Sequence, residues 1–139
     1  MAADSEALAQ GRRWLEQAED ELDAAEKLLD LEKYYLVCFL CQQVAEKALK
    51  SIYYARGAVS VRGHSVEALC RQAAEFDSGL SPLLEELSPL DAYYIPTRYP
   101  NSLPNSVPAR VYRRPQAEDA LKRARLVVEA ARARLFASD

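Results

Sequence analysis

The amino-acid sequence predicts an all-α fold: an up-and-down bundle of four main helices plus one short helix, with a long proline-rich loop before the last. Three observations carry that expectation. Apolar residues recur at helical spacing through four stretches, no stretch alternates apolar and polar residues as a half-buried strand does, and every proline lies between Pro82 and Pro115. With 139 residues, half of them hydrophobic and 28% charged, the chain can bury one core as a single domain over 1–139. It shows neither an internal repeat nor a low-complexity tract.

Asp4 or Ser5 can cap a first helix reaching about Leu31, with Trp14, Ala18, Leu22, Ala25 and Leu29 as its apolar stripe. Asp30 to Lys33 leaves room only for a turn, so the first two helices are antiparallel neighbours. The second, Tyr34 to Arg56, organises the chain. Tyr34 to Cys41 is apolar without a break, and Val37, Leu40, Cys41, Val44, Ala45, Ala48, Leu49 and Ile52 share one broad face. A narrower strip carries Phe39, Gln43, Glu46, Lys50 and Tyr54. Such a helix, about 34 Å long at ~1.5 Å per residue, belongs at the centre of a bundle.

Gly57 stops it as the residue after the C-cap, and Ala58 to Gly63 is a connection. Ser65 caps a third helix through Phe76, whose inner face is Val66, Leu69, Cys70 and Ala73. Asp77, Ser78 and Gly79 break the pattern. Ser81-Pro82 and Ser88-Pro89 read as caps followed by a first-turn proline, starting one short helix or two consecutive ones that end near Tyr94. From Ile95 to Pro115, Pro96, Pro100, Pro104, Pro108 and Pro115 leave no regular element. Pro115 starts the last helix, with Glu118 and Asp119 in its first turn and Arg132 and Arg134 in its last, an order that suits the helix dipole. Its inner stripe is Leu121, Ala124, Val128, Ala131 and Leu135.

The net charge is only −3, but its distribution is lopsided. Ten acids lie between Asp4 and Glu32, and eight bases between Arg110 and Arg134. Antiparallel packing of the first and last helices, or pairing between subunits, would bring these faces together; two separately solvated faces are the alternative. Cys38, Cys41 and Cys70 are odd in number and two lie in the apolar run, which argues against a disulfide framework and for a reducing, cytoplasmic compartment. Cys38-x-x-Cys41 reads as core and no zinc set is apparent, so no metal is expected. The polar, acidic start does not resemble a signal peptide, and no apolar run is long enough to span a membrane. Duplex nucleic acid is a poor partner for an acidic chain, although Arg110, Arg113 and Arg114 make a local basic patch.

Three motifs stand in order along these elements. Cys41-Gln42-Gln43-Val44-Ala45-Glu46-Lys47-Ala48-Leu49-Lys50 runs small residue, QQ, two small residues, then EKxLK. Gly63-His64-Ser65 with Leu69 makes GHxxxxL, and Thr97-Arg98-Tyr99-Pro100 contains RYP. Together they resemble the HEPN domain family. Arg13-Trp14-Leu15-x-Gln17-Ala18, with the loop from Leu90 and Tyr93 through Pro104, Pro108 and Tyr112, is most similar to its sacsin-like branch, domains of a very large chaperone-linked chain. The resemblance implies a helical bundle that dimerises, and members that are metal-independent ribonucleases, partners of nucleotidyltransferases, or modules binding nucleotides or proteins. The sacsin-like pattern implies a domain cut from a longer chain, while free-standing bacterial and archaeal members share much of the same pattern, so both readings stand. The nuclease branch carries Arg-x4–6-His; here Arg62 and Arg56 stand two and eight residues before His64, the one histidine, so no enzyme activity is expected.

The candidate ligand-binding residues are Arg98, Lys50, Lys47, His64, Gln43 and Tyr99. Arg98 suits an anion clamp, because a guanidinium recognises phosphate bidentately, or else a loop staple on Glu46 or another acid of the second helix. His64 precedes the cap of the third helix, where anions bind, or is a satisfied neighbour of that cap. Lys47 and Lys50 can join Arg98 around a triphosphate, with Tyr53, Tyr54, Tyr93 or Tyr99 stacking on a base. Alternatively, Gln43, Glu46, Lys47 and Lys50 satisfy one another and grip the loop, or line a subunit seam. The expected function is therefore a homodimeric module binding a nucleotide such as GTP or ATP, or another polyanion, with other domains or chaperone proteins as further partners. Ribonuclease or nucleotidyltransferase-partner activity and pure structural dimerisation are the alternatives.

Overall fold

The computed structural model describes residues 2–137. Its helices are α1 (Ala2–Asp30), α2 (Tyr34–Ala55), α3 (Val66–Phe76), α4 (Leu83–Leu87), α5 (Pro108–Val111) and α6 (Arg114–Leu135), with 3-10 turns at Ser78–Leu80, Ser88–Tyr93 and Pro100–Ser102. No strand occurs among the described residues. The four long helices are those expected, and α2 is the central one, packed against α1, α3 and α6.

Both ends of the α1–α2 hairpin close by backbone geometry. At the end of α1, Lys33 N–H donates to the Leu28 carbonyl and Glu32 N–H to that of Leu29, each at 3.0 Å, with Glu32 in the left-handed region at φ 61°. At the end of α2, Ala58 N–H reaches the Tyr53 carbonyl at 3.1 Å and Gly57 N–H that of Tyr54 at 2.9 Å. There φ is +103° at Gly57, the conformation only glycine adopts freely.

Four features differ from expectation. Helix α1 starts at Ala2, because the alanines ahead of Asp4 propagate the helix, so Asp4 and Ser5 lie within it. Ser81 and Ser88 are not N-caps: Pro82 itself occupies the N-cap of α4 and Leu87 that of the Ser88–Tyr93 turn, while the two serines close the elements before them. The proline-rich stretch also keeps two short regular pieces, Pro100–Ser102 and α5, each opening on a proline whose missing N–H costs nothing at a helix start. Helix α6 begins one residue early, at Arg114, where the Gln116 side chain accepts the Arg113 N–H at 3.0 Å.

The buried face of α1 is centred on Gly11, Leu15, Ala18 and Ala25, with Trp14, Leu22 and Leu29 at its margins. The displacement from the expected stripe arises because α1 contacts α2 and α6 together. Trp14 instead stacks on Tyr54, ring centroids 4.9 Å apart. The acids of α1 do meet the bases of α6: Glu19 takes Arg132 at 2.8 and 3.1 Å, and Glu26 takes Arg125 at 3.0 Å. These exposed pairs contribute little stability but set the antiparallel register. Arg12 Nε, at 2.9 Å from the Leu135 carbonyl, closes the C-terminus of α6. Cys38, Cys41 and Cys70 are buried free thiols. Burial pushes the Cys38 thiol up to about 12 and raises the other two, so all stay protonated core groups at neutral pH.

Two outcomes follow from this packing. A Cβ on Gly11 would lie 2.6 Å from the Ser51 carbonyl oxygen and 2.7 Å from Ala55 Cβ. Gly11→Ala therefore destabilises by about 1–3 kcal/mol in urea unfolding, reversing the ~1 kcal/mol gain of an exposed helical site. The second concerns Asp77, whose carboxyl is held below its usual range by hydrogen bonds from the Arg134 guanidinium on α6. A depressed folded pKa gives a contribution present above the unfolded value and lost as pH falls through the folded one. Asp77→Asn should thus lower the melting temperature at pH 7 and converge with wild type below about pH 3; a constant difference across that range would contradict it.

Candidate functional site

The polar residues of α2 form two adjacent rows, Gln42, Glu46 and Lys50 on one and Gln43 and Lys47 on the next. The connection to α3 comes back across the first row. Gly63, at φ +99°, turns the chain so that His64 lies over Glu46. Gln42 Nε2 donates to the His64 carbonyl at 2.7 Å, while the His64 Nδ1 stands 3.2 and 3.3 Å from the two Glu46 oxygens. Lys50 Nζ donates to the same carboxylate at 3.0 Å.

The second row faces α1. Gln43 Nε2 donates to Gln42 Oε1 at 2.8 Å, and Lys47 Nζ donates to Gln43 Oε1 at 3.2 Å and Glu21 Oε1 at 3.1 Å. Gln17 donates to the other Glu21 oxygen at 2.8 Å. One continuous network thus runs from α1 through α2 to the backbone and ring of His64. No buried side-chain nitrogen or oxygen among the described residues lacks a partner.

The N-terminus of α3 is already occupied by a carboxylate. Asp91 Oδ1 accepts the Val66 N–H at 2.6 Å, and Oδ2 accepts the Glu67 N–H at 3.0 Å and the Ser65 hydroxyl at 2.9 Å. Ser65 Oγ accepts the Ala68 N–H at 3.1 Å, the cap expected of it. The positive end of α3 is therefore neutralised from within, and the anion position expected beside His64 is taken by Asp91.

Arg98 lies on the far side of the histidine. Thr97 is buried and its hydroxyl donates to the Tyr93 carbonyl, which fixes the turn and sends Arg98 outward. Arg98 Nε donates to the Tyr94 carbonyl at 2.8 Å. The guanidinium carbon sits 4.6 Å from the Tyr94 ring centre, 5.0 Å from Phe39 and 5.3 Å from Tyr99. No carboxylate lies at ion-pair distance from it among the described residues. The same Tyr94 ring stacks on His64 at 4.8 Å and 17°. His64, Ser65, Asp91 and Tyr94 line an open recess of about 270 Å³, smaller than the ~300–1,000 Å³ of preformed small-molecule pockets.

Of the six residues singled out in the sequence, the structure gathers His64, Arg98 and Tyr99 around Tyr94 and leaves them exposed. Lys50, 6% exposed, is committed to Glu46; Lys47 and Gln43 turn towards α1. Neither lysine stands with Arg98 in a triphosphate clamp, because each already has a carboxylate partner. Nor is Arg98 a staple on a helix-α2 acid, since aromatic faces hold it instead. Tyr53, Tyr54 and Tyr93 serve packing, the first by donating to the Leu69 carbonyl at 2.6 Å. Sequence reasoning missed Tyr94 and Asp91. The only signal for Tyr94 was its position one turn before Arg98, and nothing local marks Asp91 as a cap lying 25 residues from Val66. Among the described residues no group of three or more His, Cys, Asp or Glu could hold a metal ion.

Known proteins resemble this chain over most of its length. The family model described as "HEPN domain" matches residues 12–134. Human sacsin is 33% identical over 98 residues, which is 68% of this chain and 2% of sacsin's length. The crystal structure of TT1696 from Thermus thermophilus is 42% identical, with a TM-score of 0.82 over 88% of this chain and 95% of that one. The structure of ST0689, described as an archaeal HEPN homologue, is 28% identical, with a TM-score of 0.74 over 91% of this chain and 98% of the other.

The Glu46–Lys50 pair makes its own prediction. Lys50→Ala leaves a buried carboxylate without its ammonium and should cost roughly 3–5 kcal/mol in urea unfolding. Replacing both, as Glu46→Leu with Lys50→Met, should recover most of that loss. A Lys50→Ala protein as stable as wild type would mean that the pair is solvated and does not organise the site.

Proposed function

The chain belongs to the HEPN domain family, and on that premise we propose that it is a self-associating module that binds a nucleotide, GTP or ATP, or another polyanion. The observation that carries this reading is the state of Arg98: its Nε is spent on the Tyr94 carbonyl and its face on three aromatic rings, while no carboxylate among the described residues pairs with its outer edge. A guanidinium held this way is preorganised for phosphate, since little rotamer freedom remains to be lost on binding. His64 and Tyr99, both exposed, border it. Lys50, Lys47 and Gln43 act beneath the site, by holding His64 in place. In this reading the module pairs with a second copy of itself, which would cover exposed apolar residues such as Ile95, Tyr99 and Val111. Within a longer chain similar to sacsin, of which this domain spans 2%, the module would serve chaperone-linked work done by other domains. Its buried free thiols suit the cytoplasm, and no helix among the described residues is long and apolar enough to cross a membrane.

One observation favours a second reading. Glu46 orients His64 as a carboxylate orients a general base, and a HEPN ribonuclease would use such a histidine. The family's Arg-x4–6-His spacing is nevertheless absent from the sequence, so we propose that the protein is not an enzyme.

Titration calorimetry with GTP and ATP, with the solution mass determined on the same sample, tests the proposal. Arg98→Ala should weaken binding at least about tenfold, near the ~1.5–3 kcal/mol of a charged hydrogen bond, with an unchanged helical spectrum. The same preparation should leave RNA intact without added metal. A clean dimer giving no heat with either nucleotide would support pure structural dimerisation, and cleaved RNA would establish the enzyme.

A further inference from the structure

Three features of the surface around Tyr94 define what kind of anion fits it. The first is the supply of cations. Among the described residues, Arg98 is the one base placed over the aromatic bed; Lys50 is buried against Glu46, and Lys47 is turned to Glu21 across the α1–α2 seam. A nucleoside triphosphate spreads its charge over three phosphoryl groups and is bound elsewhere by several donors acting together. Here one guanidinium, with two outward nitrogens, matches a single phosphate.

The second feature is the sign of what lies beside it. The recess contains Asp91, whose carboxylate fills the N-terminus of α3, the backbone position that would otherwise take a further phosphoryl group. Glu46 lies directly behind His64. A chain of phosphates extending from Arg98 into this recess would meet two carboxylates.

The third is the polarity of His64. Glu46 is paired with the Lys50 ammonium and acts as an acceptor, so the His64 nitrogen facing it, Nδ1, carries the proton. The outer nitrogen, Nε2, faces away from Glu46 on a largely exposed side chain. With Asp91 in the same recess it suits a hydroxyl, which both donates and accepts. Tyr94 joins the two halves, with His64 stacked on its ring at 4.8 Å and the Arg98 guanidinium 4.6 Å from its centre.

We propose that this site reads one phosphate at Arg98 and a neighbouring hydroxyl at His64, so that its ligand is a hydroxyl-bearing phosphate monoester of the size of a ribonucleoside monophosphate. The inference rests on the nucleotide-binding reading above and narrows it: the second and third phosphates of GTP add no affinity. Glu46 is then a positioning residue, which sets the His64 proton without touching the ligand.

The test is calorimetry of the full chain with GMP, GTP, guanosine, ribose 5-phosphate and inorganic phosphate, repeated on Arg98→Ala and His64→Ala proteins of unchanged helical spectrum. GMP should bind within about threefold of GTP, and guanosine and inorganic phosphate each about tenfold or more weaker than GMP. Arg98→Ala should erase the advantage of GMP over guanosine. His64→Ala should weaken GMP and ribose 5-phosphate about tenfold and leave inorganic phosphate unchanged. GTP binding more than about threefold tighter than GMP, or His64→Ala weakening inorganic phosphate as much as GMP, overturns the inference and leaves the nucleotide module standing. No heat from any of the five probes overturns both.

Discussion

Glu46 and Lys50 stand one turn apart on the central helix, both almost wholly removed from water and 3.0 Å from each other. Two charges in such a place are tolerable only together, because either alone would face the full desolvation penalty. Their partnership then determines what surrounds them. The carboxylate has acceptor capacity left and takes the His64 ring, while Gln42, one turn earlier on the same row, takes the His64 backbone. A histidine held at both ring and carbonyl pins the connection between α2 and α3. Ser65, the next residue, is thereby delivered to the start of α3 with its capping oxygen in place.

The same constraint explains how a mobile class of side chain comes to rest at the surface. Tyr94 has a fixed imidazole to stack on, and Arg98, four residues later, has a fixed phenol ring and its carbonyl to lie against. Buried Thr97 between them anchors the turn. Order thus passes outward from a buried ion pair to an exposed guanidinium through single contacts of hydrogen-bond or ring-stacking range. The remaining polar residues of α2 extend the order in the other direction, through Gln43 and Lys47 to Glu21 and Gln17 of α1. Charge on the outside of the bundle is used differently. The acids of α1 and the bases of α6 pair across their seam at Glu19–Arg132 and Glu26–Arg125, where they select antiparallel register without adding much stability.

Much of the site was legible as residue types and little of it as partnerships. The strip Gln43, Glu46, Lys47 and Lys50 was recognisable because polar residues at helical spacing interrupt an otherwise apolar helix. An i, i+4 pair of Glu46 with Lys50 is a property of the helix itself and was therefore readable. Whether Lys47 would join it was not, since that depends on where α1 places Glu21, 26 residues away. Arg98 was marked by its loop, but its aromatic bed comes from residues as distant as Phe39. Asp91 carries no local mark in the sequence, and only the fold brings it to α3.

What the sequence by itself determined is the four long helices, the inner faces of α2, α3 and α6, and the stop of α2. Apolar periodicity and the backbone preferences of glycine and proline act over a few residues and do not need the rest of the chain. Gly57 ended α2, and Val66, Leu69, Cys70 and Ala73 lined α3, for that reason. Tertiary structure alone decided which groups remained available. Lys50 and Lys47 were withdrawn, Asp91 closed a helix end and Arg98 was left uncompensated, because each outcome depends on the distance between side chains far apart in sequence. Electrostatic and hydrogen-bond energies change over a few ångströms, a resolution that spacing along a chain does not carry.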